Sequence, residues 1–409
     1  MSVAQRAVRK LGVMRVACFI FTALISVGSS MGDDAILIRA KHVLTMEGKI
    51  LEPGAVLVRD GKIAVVAEGI EAQGAKVVDT DWLMPGLVNA ATSFGIAGGT
   101  SEISSEVTPD FETAAAIDFQ SRDLLEAIDE GITTAHVLPG TQSVFSGYSA
   151  IIKTSGSGSN HSMPRILLPH HGLTVALSSD PTSFNRARSR PDSVFVRQPT
   201  NRMGVVWILR SSFHKTTQNL RASGFDENSQ KILQDVLAGK LPVFTVSRKD
   251  VDIQSGFQLQ DEFGFKPIIV GGDEVYKIMD VIQERKPTII YTAMINAANS
   301  RELRGTEGTE RRFNVVGQLA AAEVPFCLAG EKLLDQARFA TRFGLDRSVA
   351  LESITSKSAK ALQQDKSVGS IAVGKDADLL AFNGDPLEFT SSIQWTMVDG
   401  KIIETNTGR

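Results

Sequence analysis

The chain is poor in the side chains that bind metals and form cross-links: its 409 residues hold six histidines and two cysteines. Any metal site must therefore draw on a short list of ligands. Excess charge is lacking as well. With 43 Lys and Arg against 46 Asp and Glu, the formal net charge is −3, which argues against a nucleic-acid binder, whose phosphate contacts need a basic surface. At 43% hydrophobic residues, the composition is too apolar for a disordered chain and too polar for a polytopic membrane protein. No Gly-x-Gly-x-x-Gly follows a strand pattern and no P-loop motif occurs, so the common nucleotide-binding signatures are absent.

What is present begins with a leader. Arg6, Arg9, Lys10 and Arg15 precede the apolar run Val16–Val27, and the small residues Gly28, Ser29 and Ser30 follow. That run is too short to cross a bilayer, which takes about 20 residues. The order basic, apolar, small predicts residues 1–32 as a signal peptide cut near Gly32. The mature chain is then exported, periplasmic or extracellular, and keeps no stable membrane span. Cleavage removes four basic residues and Cys18, which leaves a more acidic chain and Cys327 alone. No intrachain disulfide can form, whatever the compartment. Within the apolar stretch Val324–Ala329, Cys327 reads as a buried, inert thiol.

Both ends of the mature chain read as short strands. Ala35–Leu44 is one, Gly54–Val66 is two joined across the Asp60-Gly61 turn signal, and Lys76–Asp79 follows. The far end repeats this texture in Ala377–Phe382 and in Ile393–Ile403, with a second Asp-Gly turn at Asp399-Gly400. Two β-rich flanks with matched turns predict a β-sandwich built from 33–83 and 369–409. The middle, 84–368, alternates helical patterns (Asp123–Glu130, Asn228–Leu237, Gly256–Glu262, Glu274–Glu284) with apolar runs (Ile132–Leu138, Pro242–Val246, Pro267–Val270, Thr288–Tyr291). Such alternation implies an α/β fold with parallel strands and crossover helices, and the length suits a (β/α)8 TIM barrel, whose chemistry sits at the C-terminal ends of its strands. Thr154–Asn160 and Ser178–Asn201 break the rhythm and read as loops, over the mouth of the barrel or simply at the surface.

Two segments, Met84–Ala90 and Gly369–Leu380, together resemble the boundary motifs of the amidohydrolase superfamily, in its imidazolonepropionase-like branch. Gly131–Thr134, Pro199–Gly204, Asp261–Lys266, Asn383–Pro386 and Val398–Lys401 extend the resemblance over nearly the whole mature chain. It implies a TIM barrel wrapped by a small β-sandwich, and a hydrolase of non-peptide carbon-nitrogen bonds that uses zinc. Pro85-Gly86 and Gly374–Asp376 read as turns with no chemistry of their own.

The chain departs from that pattern where the metal would bind. Family members that hydrolyse such bonds carry Pro-Gly-Leu-Ile-Asp-x-His-x-His on the first barrel strand, two imidazoles facing one way. Here Ala91 and Ser93 stand in those places. The strand-five region reads Phe244–Arg248 without an imidazole, Gly271 stands at strand six, and Glu331 replaces the aspartate after strand eight. No cofactor is predicted. Of the histidines, His42, His161 and His214 fall away from the strand ends, and the adjacent His170 and His171 must diverge. His136 lies near the end of the second strand and reads as a core residue. Glu102, Glu106, Asp110, Asp273, Glu274 and Glu331 are the oxygen donors open to a hard cation. Ser93, His136 and Glu331 are the candidates for a metal-free catalytic arrangement.

The sequence thus predicts an exported protein of amidohydrolase fold that has lost its metal site and binds a small ligand or a partner chain, as a homo-oligomer or with an active paralogue. The alternative is an active imidazolonepropionase-like hydrolase with an unconventional site.

Overall fold

A computed structural model describes residues 35–96, 99, 101–102, 104–154, 164–183, 198–220, 225–292, 294 and 308–404. The predicted signal peptide, His161 and most of the two predicted loops lie outside the described residues. The described residues fold into a mixed α/β structure with two eight-stranded sheets.

The first sheet takes strands from both ends of the chain. β1 (Ile36–Leu44), β2 (Ile50–Leu51), β3 (Gly54–Arg59), β4 (Lys62–Ala67) and β5 (Lys76–Pro85) come from the N-terminal flank. β14 (Leu379–Phe382), β15 (Ile393–Val398) and β16 (Lys401–Glu404) come from the C-terminal flank. The order is β16-β15-β14-β5-β1-β3-β4, with β2 beside β1. Antiparallel pairing of β14 with β5, from Leu379 opposite Pro85 to Phe382 opposite Trp82, joins the flanks. The two predicted Asp-Gly hairpins form. All four turn residues have positive φ, as the tight hairpin turn needs. The turns also touch: a Cβ on Gly400 would lie 2.9 Å from Gly61 Cα, and one on Gly61 would lie 2.9 Å from the Asp399 carbonyl.

The second sheet runs in chain order: β6 (Leu87–Thr92), β7 (Ile132–Val137), β8 (Phe145–Lys153), β9 (Arg165–Ala176), β10 (Val243–Ser247), β11 (Pro267–Gly271), β12 (Ile289–Tyr291) and β13 (Phe326–Leu328). Helices α1 (Arg122–Asp129), α2 (Arg202–Thr217), α3 (Glu227–Leu237), α4 (Asp250–Phe263), α5 (Met279–Arg285) and α6 (Val315–Ala321) lie between strands. Three more, α7 (Leu333–Arg342), α8 (Arg347–Glu352) and α9 (Ser356–Ala361), follow β13. Strands β6, β7, β10, β12 and β13 are buried at every position, which is why they do not alternate apolar with charged residues.

Parallel pairing holds for β6 with β7 and from β9 through β13. β8 departs from the predicted rhythm, being antiparallel to both neighbours. Among the described residues no crossover helix separates β7 from β9, and the chain runs back antiparallel in β8. The predicted helix Glu274–Glu284 starts as a 3-10 turn, Val275–Ile278, before α5.

Edge strands β13 and β6 meet. The Asn89 carboxamide donates to the Gly330 carbonyl (2.9 Å) and accepts from its N–H (3.0 Å). The Ser353 and Ile354 carbonyls accept from Leu328 N–H and Val88 N–H, 2.9 Å each. Open β edges are thereby satisfied. The sheet interior is apolar: Val88, Ala90, Ile151, Phe244, Val270, Ile290 and Cys327 form one buried cluster with Leu362 just past α9.

Charge ties the sheets together. Lys153, at the end of β8, is fully buried, and its ammonium lies 2.5 Å from Asp378, 2.9 Å from Asp376 and 3.3 Å from Asp399. Lys62 pairs with Asp376 (2.5 Å) and Arg165 with Asp399 (2.7 Å). Three cations thus meet three carboxylates. The segment Gly374–Asp376, read from sequence as a turn without chemistry, carries one arm of this clamp.

Candidate functional site

The strand ends where an amidohydrolase would hold its metal are occupied by small or ion-paired residues. Ala91 is fully buried within the apolar interior cluster. Ser93 follows the end of β6, and its carbonyl accepts from Ile96 N–H at 3.2 Å. Gly271 ends β11 at φ +107°, and a Cβ there would meet the Ser247 carbonyl at 3.0 Å and Arg248 Cγ at 3.1 Å. An imidazole therefore cannot be accommodated at Gly271 without displacing Arg248. Glu331 follows β13, and its carbonyl accepts from Gln336 Nε2 at 2.8 Å.

Arg248 lies just past the end of β10, where the sequence comparison looks for a ligand of strand five. Its stem covers Gly271, and its guanidinium donates to Asp180 Oδ2 at 2.7 Å. Thr141 Oγ1 donates to the same oxygen, also at 2.7 Å. All three residues are buried. Loops after β7, β9 and β10 are thus latched together at one end of the second sheet. A neighbouring network holds the loop after β11: Asp273 accepts from Thr309 Oγ1 (2.6 Å) and pairs with Arg311 (3.3 Å). Glu274 accepts from Glu310 N–H (2.9 Å) and pairs with Lys277 (3.1 Å). Burial alone would raise the Glu274 carboxyl; the Glu310 N–H and the Lys277 ammonium outweigh it and hold the group below the ordinary range.

Deeper in the sheet sit two imidazoles. His136 on β7 is fully buried, with Nδ1 2.8 Å from the Ala90 carbonyl. His171 on β9 packs edge-on against it, ring centroids 5.1 Å apart, and Phe244 covers both at 4.4 and 5.4 Å. Neither Nε2 atom has a hydrogen-bond partner among the described residues. Burial, followed for His136 by the neighbouring His171, drives His136 well below the usual imidazole range; burial alone takes His171 down to about 4. Both are neutral at neutral pH.

Among the described residues no hydrogen bond joins Ser93, His136 and Glu331; His136 Nδ1 is taken by the Ala90 carbonyl. The predicted divergence of His170 and His171 is observed: His170 points out to Glu112 (2.7 Å) and Tyr148 while His171 turns in. The partnership of His171 with His136 was missed, since it depends on the β8–β9 hairpin. His42 stacks on Trp82 and His214 pairs with Glu262.

A zinc ion does not fit these residues. Ala91, Ser93 and Gly271 offer no imidazole, and among the described residues no group of three or more His, Cys, Asp or Glu side chains is placed to hold a metal. The six candidate oxygen donors form no such group among the described residues either; Asp110, for example, accepts from Ser229 (3.3 Å). No helix among the described residues is long and apolar enough to cross a membrane.

Cys327 is buried and free, and burial pushes its thiol up to about 12. At pH 8 only about one thiol in ten thousand is then ionised. With Cys18 replaced by Ser, native protein is expected to give no reaction with a chromogenic disulfide reagent and one equivalent after denaturation; rapid reaction of that native variant would contradict the buried assignment.

The amidohydrolase family model matches residues 329–404. The fold is similar to an amidohydrolase from Thermotoga maritima MSB8, with a TM-score of 0.79 and 24% identity over 91% of this chain and 100% of that one. It is also similar to a prolidase complexed with N-methylphosphonate-L-proline, at TM-score 0.58 and 16% identity over 91% and 100% of the two chains. An adenosine deaminase from Xanthomonas campestris with bound zinc matches at TM-score 0.52 and 16% identity, over 90% and 92%. No curated protein matches the sequence.

Proposed function

We propose that this chain, an amidohydrolase in fold and in its C-terminal family segment, is an exported binding protein that keeps the scaffold without the metal centre. The observation that carries the reading is Arg248: its stem lies on Gly271 and its guanidinium is paired with Asp180, so a fixed, neutralised cation stands where two metal-binding imidazoles would converge. The reading takes the second sheet as a closed TIM barrel over 84–368, supported by the Asn89–Gly330 pair. It takes 33–83 and 369–409 as one composite β-domain, supported by the pairing of β14 with β5. The ligand is a small molecule, or the partner is a second chain, a further copy or an active paralogue.

Without a metal to activate water and polarise a carbonyl, hydrolysis loses the term that supplies much of its rate. Purified protein is expected to carry far less than one equivalent of zinc, and to show no chelator-sensitive turnover of amides, cyclic imides or dipeptides. Stoichiometric zinc or chelator-sensitive turnover would overturn the proposal.

One observation favours a second reading, a hydrolase of non-peptide carbon-nitrogen bonds with an unconventional site. His136 and His171 each present an Nε2 with no partner among the described residues, and a neutral imidazole can accept a proton, though the burial that lowers both makes them weak bases. Chelator-insensitive turnover that disappears in His136→Gln would select this reading over the first.

A further inference from the structure

Three neighbouring strands of the second sheet start in nearly the same way. Lys240-Leu241-Pro242 leads into β10, Lys266 precedes Pro267 at the start of β11, and Lys286-Pro287 leads into β12. Proline is tolerated at a strand's first residue, where its missing N–H is not needed. The parallel register, Val243 opposite Pro267 and Ile269 opposite Ile289, sets the three lysines along one rim.

That rim surrounds a cavity of about 640 Å³, within the range of small-molecule sites. Five cations line it: Lys240, Lys266, Arg285, Lys286 and Lys360. Gln260 and Gln363 add carboxamides, Leu241, Phe265 and Ile268 give it apolar walls, and no carboxylate lines it. Three of the cations have carboxylate partners outside the lining. Asp261 holds Arg285 through two bonds of 2.7 Å, while Lys240 lies 3.5 Å from Asp235 and Lys286 lies 3.6 Å from Glu323. Lys266 and Lys360 have no ion-pair partner among the described residues. Helices α3, α4, α5 and α9 also end here, and each C-terminus presents about half a negative charge that a lysine can offset. That effect alone requires neither a cavity nor the apolar walls.

We propose that this cavity binds an organic phosphate, with its dianionic head among the lysines and an apolar body against Leu241, Phe265 and Ile268. Lysine ammonium groups hold phosphate as point charges approached from several sides, and the apolar walls distinguish such a ligand from inorganic phosphate. The site lies at the strand entries, opposite the latched ends after β7, β9 and β10, so it stands whether or not those ends are catalytic.

The test is calorimetric titration of the full chain with 1-naphthyl phosphate, inorganic phosphate and 1-naphthol. One-to-one binding of naphthyl phosphate is expected, about tenfold or more tighter than either comparator, weakening with salt. The double variant Lys266→Ala/Lys360→Ala is expected to lose about tenfold or more in affinity, while Lys266→Arg/Lys360→Arg stays within about threefold. Absence of binding, or equal affinity for 1-naphthol, overturns the proposal. So does a double alanine variant with altered melting temperature and unchanged affinity, which would assign the lysines to the helix ends alone.

Discussion

Replacing Lys153 by Met is expected to destabilise the chain by about 3–5 kcal/mol, the range found when one partner of a buried ion pair is removed. Burial alone would drive the ammonium to its neutral form; Asp378, Asp399 and Asp376 outweigh it and keep the group charged. Methionine fills a similar volume, so the loss comes from charge. It leaves Lys62 and Arg165 facing three carboxylates, with the buried Asp378 deprived of its closest partner. Burial already raises the Asp378 carboxyl against the pull of Lys153, so in the variant it takes up a proton and recovers part of the loss. The urea midpoint of Lys153→Met measures the effect, and adding Asp378→Asn should bring the midpoint back part of the way. Because the cluster spans β8 and the ends of the first sheet, limited proteolysis should also cut the variant between 383 and 401 faster than the parent. A midpoint shifted by less than about 1 kcal/mol would mean that the three carboxylates contribute little and that packing alone joins the sheets.

The clamp also marks the limit of what a single sequence can disclose. The meeting of the two flanks was legible because matched Asp-Gly turns and alternating strands are local signals, and the turns prove to touch. Lys153 and Asp378 are 225 residues apart, and no spacing rule connects them; a lysine after Ala150-Ile-Ile reads as a strand end facing water. The parallel strands were legible where helices separate them. The hairpin of β8 and β9 was not, because its strands are irregular, with register shifts near Phe145, Ser149 and Ile151, so neither period dominates. That one omission hid the partner of His136. That Ala91, Ser93 and Gly271 carry no imidazole was legible by comparison with a motif. The Arg248–Asp180 pair beside Gly271 was not: Arg248 follows an apolar run, and no local signal joins it to a residue 68 positions away.

The same hidden pair gives the second large effect, a loss of stability in mild acid. His136 and His171 are held neutral by burial, His171 down to about 4 against an ordinary value of 6.5. The unfolded chain binds protons at these two sites as pH falls below about 6.5, while the folded chain does not. Their contribution is therefore fully present above about pH 6.5, declines as pH falls, and levels off below the folded values. From His171 alone the loss amounts to about 3 kcal/mol between pH 6.5 and 4, and His136 adds to it in the same direction. The lowered carboxyls, such as Asp376 and Asp346, act in the same sense only as pH falls toward the carboxylate range, and the buried Asp378, whose carboxyl is raised, acts in the opposite sense; a fall between 6.5 and 5 therefore belongs to the imidazoles. Urea midpoints across that interval should fall steadily for the parent. They should be nearly flat for His136→Leu/His171→Phe, which keeps apolar volume beside Phe244 and removes both unpartnered Nε2 atoms. A flat parent profile would show that the two rings accept protons in the folded state, and would place a water-filled or ligand-filled space, rather than a dry core, between β7 and β9.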